Sequence, residues 1–174
     1  MKQRLVFIAE GPTEKALLRH LGIEGKKETI NIAQTESRKF ERYFGNLPKP
    51  NMSEIYLLID TDLILNFPQC LKNIEENIKL LTKYRYKIYV LQQHKDLEDE
   101  LAYACGFQNI NKLLASVNCC TKNELKNKVI KNPSCVTSIT SFEKSKLWNR
   151  DLIDELKHCV TKEMKRSFND LNAK

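Results

Sequence analysis

The chain has 174 residues, of which 41% are hydrophobic and 29% charged, enough for one domain with a sizeable core. No apolar run approaches the roughly 20 residues a membrane-spanning helix needs, and the run before Glu10 is too short for a secretory signal. A cytoplasmic protein with no membrane partner is therefore expected. The net charge of +7 suits a polyanionic partner such as nucleic acid. The six cysteines form no CxxC pair, which argues against a zinc ribbon and for free thiols in a reducing compartment.

Arg4 to Ala9 is a short apolar run rich in Val, Phe and Ile and predicts a buried strand. Gly11-Pro12 breaks it, and a helix follows over Thr13 to Leu21, with Pro12 suited to the first helical position. Glu28 to Ala33 alternates as a strand, Ser37 to Phe44 forms a short helix, and Leu47 to Pro50 is a loop. Glu54 to Ile59 is another apolar strand, ending in Asp60-Thr61-Asp62. Phe67 to Tyr84 has a clear helical period, and Tyr86 to Leu91 returns to strand.

This alternation predicts an α/β fold, Rossmann-like, with a mostly parallel sheet of about four strands between helices. Further helices are expected over Asp96 to Cys105, Asn111 to Ala115 and Lys122 to Ile130, then a last short strand over Cys135 to Ile139. Leu147 to Leu171 carries apolar residues mostly four apart and predicts one long amphipathic helix, packed on its own sheet or on a second copy in a homodimer. The organisation expected is a single domain over 1–174, with a core at about 4–105 and a helical extension at about 109–171.

In parallel sheets, sites form beyond the carboxyl ends of the strands. Glu10 ends the first strand, and Asp60 and Asp62 end the third, so three carboxylates from two strands converge on one edge. Glu14 lies in the first turn of the following helix, close to the same edge. Hard cations such as Mg²⁺ take carboxylate oxygens, and two such ions can stabilise both the attacking and the leaving oxygen of a phosphodiester. Plainer roles exist for each: Glu14 favours a helix dipole, and Asp60 and Asp62 can form a turn or a cap.

In the run Asp96 to Leu101, Asp96 is a natural N-cap. Glu98 falls roughly 60° from Leu101 and 20° from Cys105 on a helical wheel, inside the apolar arc, where a carboxylate needs a partner or a metal. His94 lies near the proposed site and reads chiefly as a surface histidine. The basic residues concentrate late in the chain. Lys122, Lys126, Lys128 and Lys131 come first, then Lys144, Lys146, Arg150, Lys157, Lys162, Lys165 and Arg166. They form either a phosphate-facing surface or solvated helix faces. There is no GK[ST] phosphate loop and no nucleophile elbow.

Together these pieces resemble a Toprim domain, and most closely the nuclease domain of the OLD (overcoming lysogenization defect) family. The resemblance rests on Glu10-Gly11-Pro12-Thr13-Glu14 after the first strand, Asp60-Thr61-Asp62 after the third, Leu97-Glu98-Asp99-Glu100-Leu101 opening a helix, and Lys146-Leu147-Trp148 near the end. It covers roughly residues 4–150. It implies that Glu10, Glu14, Asp60, Asp62 and Glu98 bind two divalent ions, Mg²⁺ or Mn²⁺. It also implies that Glu10, Asp60, Asp62 and Lys146 carry the catalysis, Lys146 stabilising charge on the phosphate, with Lys144 as a competing candidate.

The chain departs from the family in two respects. OLD proteins carry an ATPase domain before the Toprim, and this sequence shows none. The ATPase is then a separate partner chain, or the protein is a stand-alone nuclease. Leu63-Ile64-Leu65 follows the D-x-D motif where topoisomerase and primase relatives show glycine.

The expectation is thus a metal-dependent hydrolase that cleaves nucleic acid, DNA ahead of RNA, in defence against phage or mobile DNA. The alternative is a non-catalytic Toprim-like subunit that docks nucleic acid or protein. Nucleotide-sugar transfer leaves Glu10, Glu14 and Glu98 unexplained. Haloacid-dehalogenase-type phosphatases place their D-x-D motif after the first strand rather than the third.

Overall fold

The computed structural model describes residues 4–172, so the two ends of the expected 1–174 domain lie outside the described residues. Strand β1 (Arg4–Ala9) is buried over its last four residues, and β3 (Ser53–Asp60) along its whole length, as apolar runs covered on both faces must be. Both lie centrally. The polar strand β2 (Lys26–Thr29) takes one edge and β4 (Lys87–Gln93) is the last strand on the other side. The order is β2-β1-β3-β4 and every pairing is parallel.

Helix α1 (Pro12–His20) starts with Pro12 in its first turn and carries β1 to β2 across one face. There Leu17 and Leu18 pack against Phe7, Ala9, Leu58 and Leu91. Helices α2 (Ser37–Glu41), α3 (Thr61–Asn66) and α4 (Pro68–Lys83) cover the opposite face. There Phe40, Ile64, Ile74 and Ile78 meet Val6, Ile8, Ile55 and Leu57. Beyond β4, helices α5 (Leu97–Ala104), α6 (Ile110–Ser116), α7 (Lys122–Lys131) and α8 (Ser134–Thr137) join α1 on the first face.

The result is the expected α/β architecture, a doubly wound sheet of four parallel strands. Because the chain runs from β1 out to β2 and then returns past β1 to β3, the connections diverge between β1 and β3. That divergence is the switch point at which open parallel sheets hold their ligands.

Three local expectations are corrected, and one unexpected helix is added. The strand expected over Glu28 to Ala33 ends at Thr29, because the chain leaves the sheet there. The carbonyls of Ile32 and Ala33 accept instead from the side-chain amides of Asn77 and Asn73 on α4. The helix expected over Phe67 to Tyr84 is present as α4, and a separate helix, α3, precedes it. Pro68 sits in the first turn of α4 and divides the two. Cys135 to Ile139 is not a strand. After Pro133 the amides of Thr137 and Ser138 bond back to residues 133 and 134, and the segment turns as α8.

The long helix over Leu147 to Leu171 is absent. Trp148 has a left-handed backbone (φ 58°), which ends any helix there. The chain then passes from one face of the sheet to the other and back. Trp148 and Phe168 belong to the α1-side core, whereas Leu156 and Val160 belong to the α4-side core, with Leu152 and Met164 packed against it. The i,i+4 stripe is real in sequence but divides between two cores. Between them the amide of Val90 donates to Met164 O (2.8 Å), and the amide of Arg166 donates to Val90 O (2.9 Å), so this strap covers the free edge of β4. The apolar residues of the strap thus pack on their own sheet. A short helix, α9 (Phe168–Asn172), closes the described chain.

Gly25 leads into β2 with φ +115°, and a Cβ there would stand 2.6 Å from the backbone oxygen of Leu5 on β1. Gly25→Ala is expected to lower stability by about 2–3 kcal/mol, read as the shift of a urea unfolding midpoint at constant slope.

Candidate carboxylate site at the switch point

Glu10 follows β1 directly and Asp60 is the last residue of β3, so the strands that flank the switch point each deliver one carboxylate. The Asp60 carboxyl lies within hydrogen-bonding reach of Glu10. Burial first, then the neighbouring carboxylates, pushes Asp60 far above the ordinary range, and burial with Glu14 beside it raises Glu10 as well. Both shifts have the same physical meaning: carboxyls held out of water and close to one another resist carrying their charges. Asp60 is 8% exposed, and its Oδ1 accepts no hydrogen bond among the described residues.

Glu14 sits in the first turn of α1, buried, and its Oε2 accepts the amide of Gly11 at 3.1 Å. Glu14 thus sits at the positive end of the helix dipole, as its plainer reading in sequence has it, yet its carboxylate also lines the cleft. Gly11 makes this geometry available, since a Cβ there would stand 3.2 Å from the same oxygen. Burial raises the Glu14 carboxyl too.

Asp62 lies in the first turn of α3, where its Oδ1 accepts the amide of Leu63 (2.7 Å). Its own amide donates to Lys95 O, while the Thr61 hydroxyl accepts the Lys95 amide (2.7 Å). Lys95 has φ 64°, so the β4–α5 loop folds back onto the D-x-D turn and is stitched to it on both sides. Thr61, which reads in sequence as a spacer, is fully buried and makes this stitch.

The stitch fixes α5. Asp96 caps it by accepting the Asp99 amide (2.9 Å), as expected. Glu98 points inward at 1% exposure, with neither oxygen hydrogen-bonded among the described residues. Burial pushes it up to about 7, against the opposing pull of Lys126. Helix α7 packs on α1 and brings Lys126 to 3.5 Å from Glu98 Oε2. An open cleft of about 440 Å³ results, walled by Glu10, Glu14 and Asp60 on one side and Asn123, Lys126 and Asn127 on the other.

Five carboxylates expected from the sequence thus gather at one end of the sheet, carried by the end of β1, α1, the end of β3, α3 and α5. Their charges act on one another: Glu14 and Asp62 on Glu10, Glu10, Glu14 and Asp62 on Asp60, and Glu14 on Glu98. Among the described residues no three carboxylate, imidazole or thiol groups already stand close enough to close on an ion, so ligands would have to draw together as one binds. The orphaned oxygens of Asp60 and Glu98 and the all-oxygen donor set fit a hard divalent cation.

Two lysines read differently in three dimensions. Lys146 pairs with Glu143 (2.7 Å), and Lys144 lies over the Phe168 ring (5.5 Å). The cations that act on the carboxylates are Lys126 and Lys122, the latter 2.5 Å from both Asp96 and Asp99. Only their place in a basic helix signalled them in sequence. Other late cations serve the strap: Arg150 pairs with Glu100 and lies over Tyr103, and Arg166 lies over Tyr89. His94 donates its amide to Glu100, and burial and Arg150 lower its imidazole. Gln93, beside Asp60 in the β3–β4 register, is fully buried, and its side-chain amide has no hydrogen bond among the described residues.

Comparison with known proteins finds no matching family model, no matching curated protein and no matching solved structure.

Proposed function

We propose that the protein is a divalent-metal-dependent nuclease that hydrolyses nucleic-acid phosphodiester bonds. The observation that carries this reading is the convergence of Glu10 and Asp60 across the switch point, with buried oxygens of Asp60 and Glu98 left unbonded. Burying carboxylates without partners is unfavourable unless a ligand supplies the missing charge. Glu10, Glu14, Asp60, Asp62 and Glu98 would hold Mg²⁺ or Mn²⁺. When bound, such ions activate water and neutralise charge at the phosphate, and two ions acting together are the form the resemblance implies.

The chain's own contribution is positional. Thr61 and Lys95 lock the D-x-D turn to the start of α5, so the backbone segments that carry Asp60, Asp62 and Glu98 keep a fixed relation while the carboxylates close on an ion. Burial and its carboxylate neighbours favour the protonated form of Glu10, so a cation that binds there would release protons. The α7 wall offers Asn123, Asn127 and Lys126 to a phosphate backbone. The net charge of +7 favours such a polyanion. DNA is the first substrate to try and RNA the second. Defence against phage or mobile DNA, with an ATPase on a separate chain, is the setting that the OLD resemblance suggests.

The test is to incubate the purified protein with supercoiled plasmid and with structured RNA, in Mg²⁺, Mn²⁺ or EDTA, beside Glu10→Gln. Cleavage should require the metal and fall by at least about a hundredfold in Glu10→Gln, while the variant keeps the wild-type circular dichroism. Metal-independent cleavage, or full activity in Glu10→Gln, would contradict the reading.

A further inference from the structure

Resting on the nuclease reading, we propose that Lys126 is a tethered counter-ion. In the metal-free protein its ammonium competes with the divalent ion for Glu98 and the carboxylates around it, and in the loaded protein it turns to the substrate phosphate. It then fills the charge-stabilising role that the sequence resemblance gives to Lys146.

The placement of Lys126 separates it from every other nearby lysine. It lines the cleft opposite Glu10, Glu14 and Asp60. Its charge reaches Glu98, Asp60 and Glu14 from one position, and Glu10 and Asp62 as well. Its contact with Glu98 is loose, at 3.5 Å, and leaves both Glu98 oxygens without a hydrogen bond. Its side chain is 46% exposed, so the ammonium can swing on its stem without repacking the core.

Lys122, one turn earlier on α7, is held at 2.5 Å by two carboxylates and has no such freedom. Lys146 is engaged by Glu143, and Lys144 lies against Phe168. A lone ammonium among several buried carboxylates supplies part of the charge a divalent ion supplies in full. It is therefore displaced when the ion binds and left facing the cleft. No bond to Lys126 forms or breaks in the reaction. Its ammonium only neutralises charge on a non-bridging phosphate oxygen.

The test is calorimetric titration of Mn²⁺ into the wild type, Lys126→Met and Lys126→Arg, without nucleic acid, followed by cleavage assays on all three. Removing a competing cation should tighten Mn²⁺ binding about tenfold in Lys126→Met and leave Lys126→Arg within about twofold of wild type. Cleavage by Lys126→Met should nevertheless fall about a hundredfold, so that affinity and rate move in opposite directions. Equal or weaker Mn²⁺ binding in Lys126→Met would overturn the role of Lys126 and leave the nuclease reading standing. Absence of Mn²⁺ binding in all three proteins would overturn both.

Discussion

Asp60→Asn is expected to abolish cleavage and at the same time raise the melting temperature of the metal-free protein. Asp60 ends β3 at the switch point, 8% exposed, with one oxygen unbonded and Glu10 as a carboxyl neighbour. An asparagine keeps its shape, and its amide can donate to Glu10 without adding a charge. What is lost is a charged ligand, so cleavage should fall at least about a thousandfold. What is gained is relief from carboxylates crowded together out of water, worth about 1–3 kcal/mol in comparable buried charge replacements. At this chain length each kcal/mol moves the melting temperature by about 2–4 °C.

The gain should depend on pH, with a definite sign. Burial raises Glu10, Glu14, Asp60, Asp62 and Glu98 above their ordinary values. Groups with raised native pKa hold more protons folded than unfolded. Stability therefore falls as pH rises from their ordinary values, 3.8 for Asp and 4.5 for Glu, through about 7 for Glu98 and beyond for Asp60. In EDTA the wild type should melt lower at pH 8 than at pH 5, and Asp60→Asn should narrow that difference. Saturating Mn²⁺ should restore the wild type at pH 8, since a ligand that binds only the folded state stabilises it. A variant that still cleaves at the wild-type rate, or melts below wild type in EDTA at pH 8, would show that Asp60 is an ordinary turn residue.

The parts of this molecule legible in the sequence are those governed by local rules. Central strands β1 and β3 announce themselves as apolar runs, and the residues that end them are the first polar ones after each run. Once the alternation of strands and helices implies a parallel sheet, Glu10 and Asp60 must fall on the same edge. Glu98 is legible for a similar reason, because one turn of helix places it within the apolar arc, although Glu100 of the same run is buried as well and the helical phase does not single it out.

The strap was illegible because its spacing matches a helix while its partners lie in two different cores. Leu156 and Phe168 belong on opposite faces of the sheet, and nothing in a local window separates them. Its anchors, the Gln92 amide and the edge of β4, lie about sixty residues earlier in the chain. Lys126 was illegible as a site residue for the same reason. Only the packing of α7 on α1 distinguishes it from the other lysines of its helix.

The sequence run Leu97 to Leu101 offers two glutamates, and the structure gives them opposite duties. Glu98 lies 3.5 Å from Lys126 of the cleft wall, and Glu100 is fully buried against the strap. Its Oε1 accepts the Trp148 amide (2.7 Å), and its Oε2 accepts Arg150 (2.8 Å) and the His94 amide (3.2 Å). Glu100→Ala would leave a guanidinium and two amides without their acceptor, an uncompensated loss of about 3–5 kcal/mol.

The positive φ of Trp148 is held at that point, so the strap should loosen from the sheet and expose the edge of β4. Hydrogen exchange at the Val90 and Arg166 amides should accelerate with the loss, and the melting temperature should drop by about 10 °C. Glu100→Gln keeps an acceptor for Trp148 and should lose only about 1–2 kcal/mol while binding Mn²⁺ as wild type does. Glu98→Gln should do the reverse, keeping stability and losing the metal. If Glu100→Gln instead abolished Mn²⁺ binding with the strap intact, the carboxylate that the resemblance points to in this run would be Glu100, and the cleft would have to be redrawn around it.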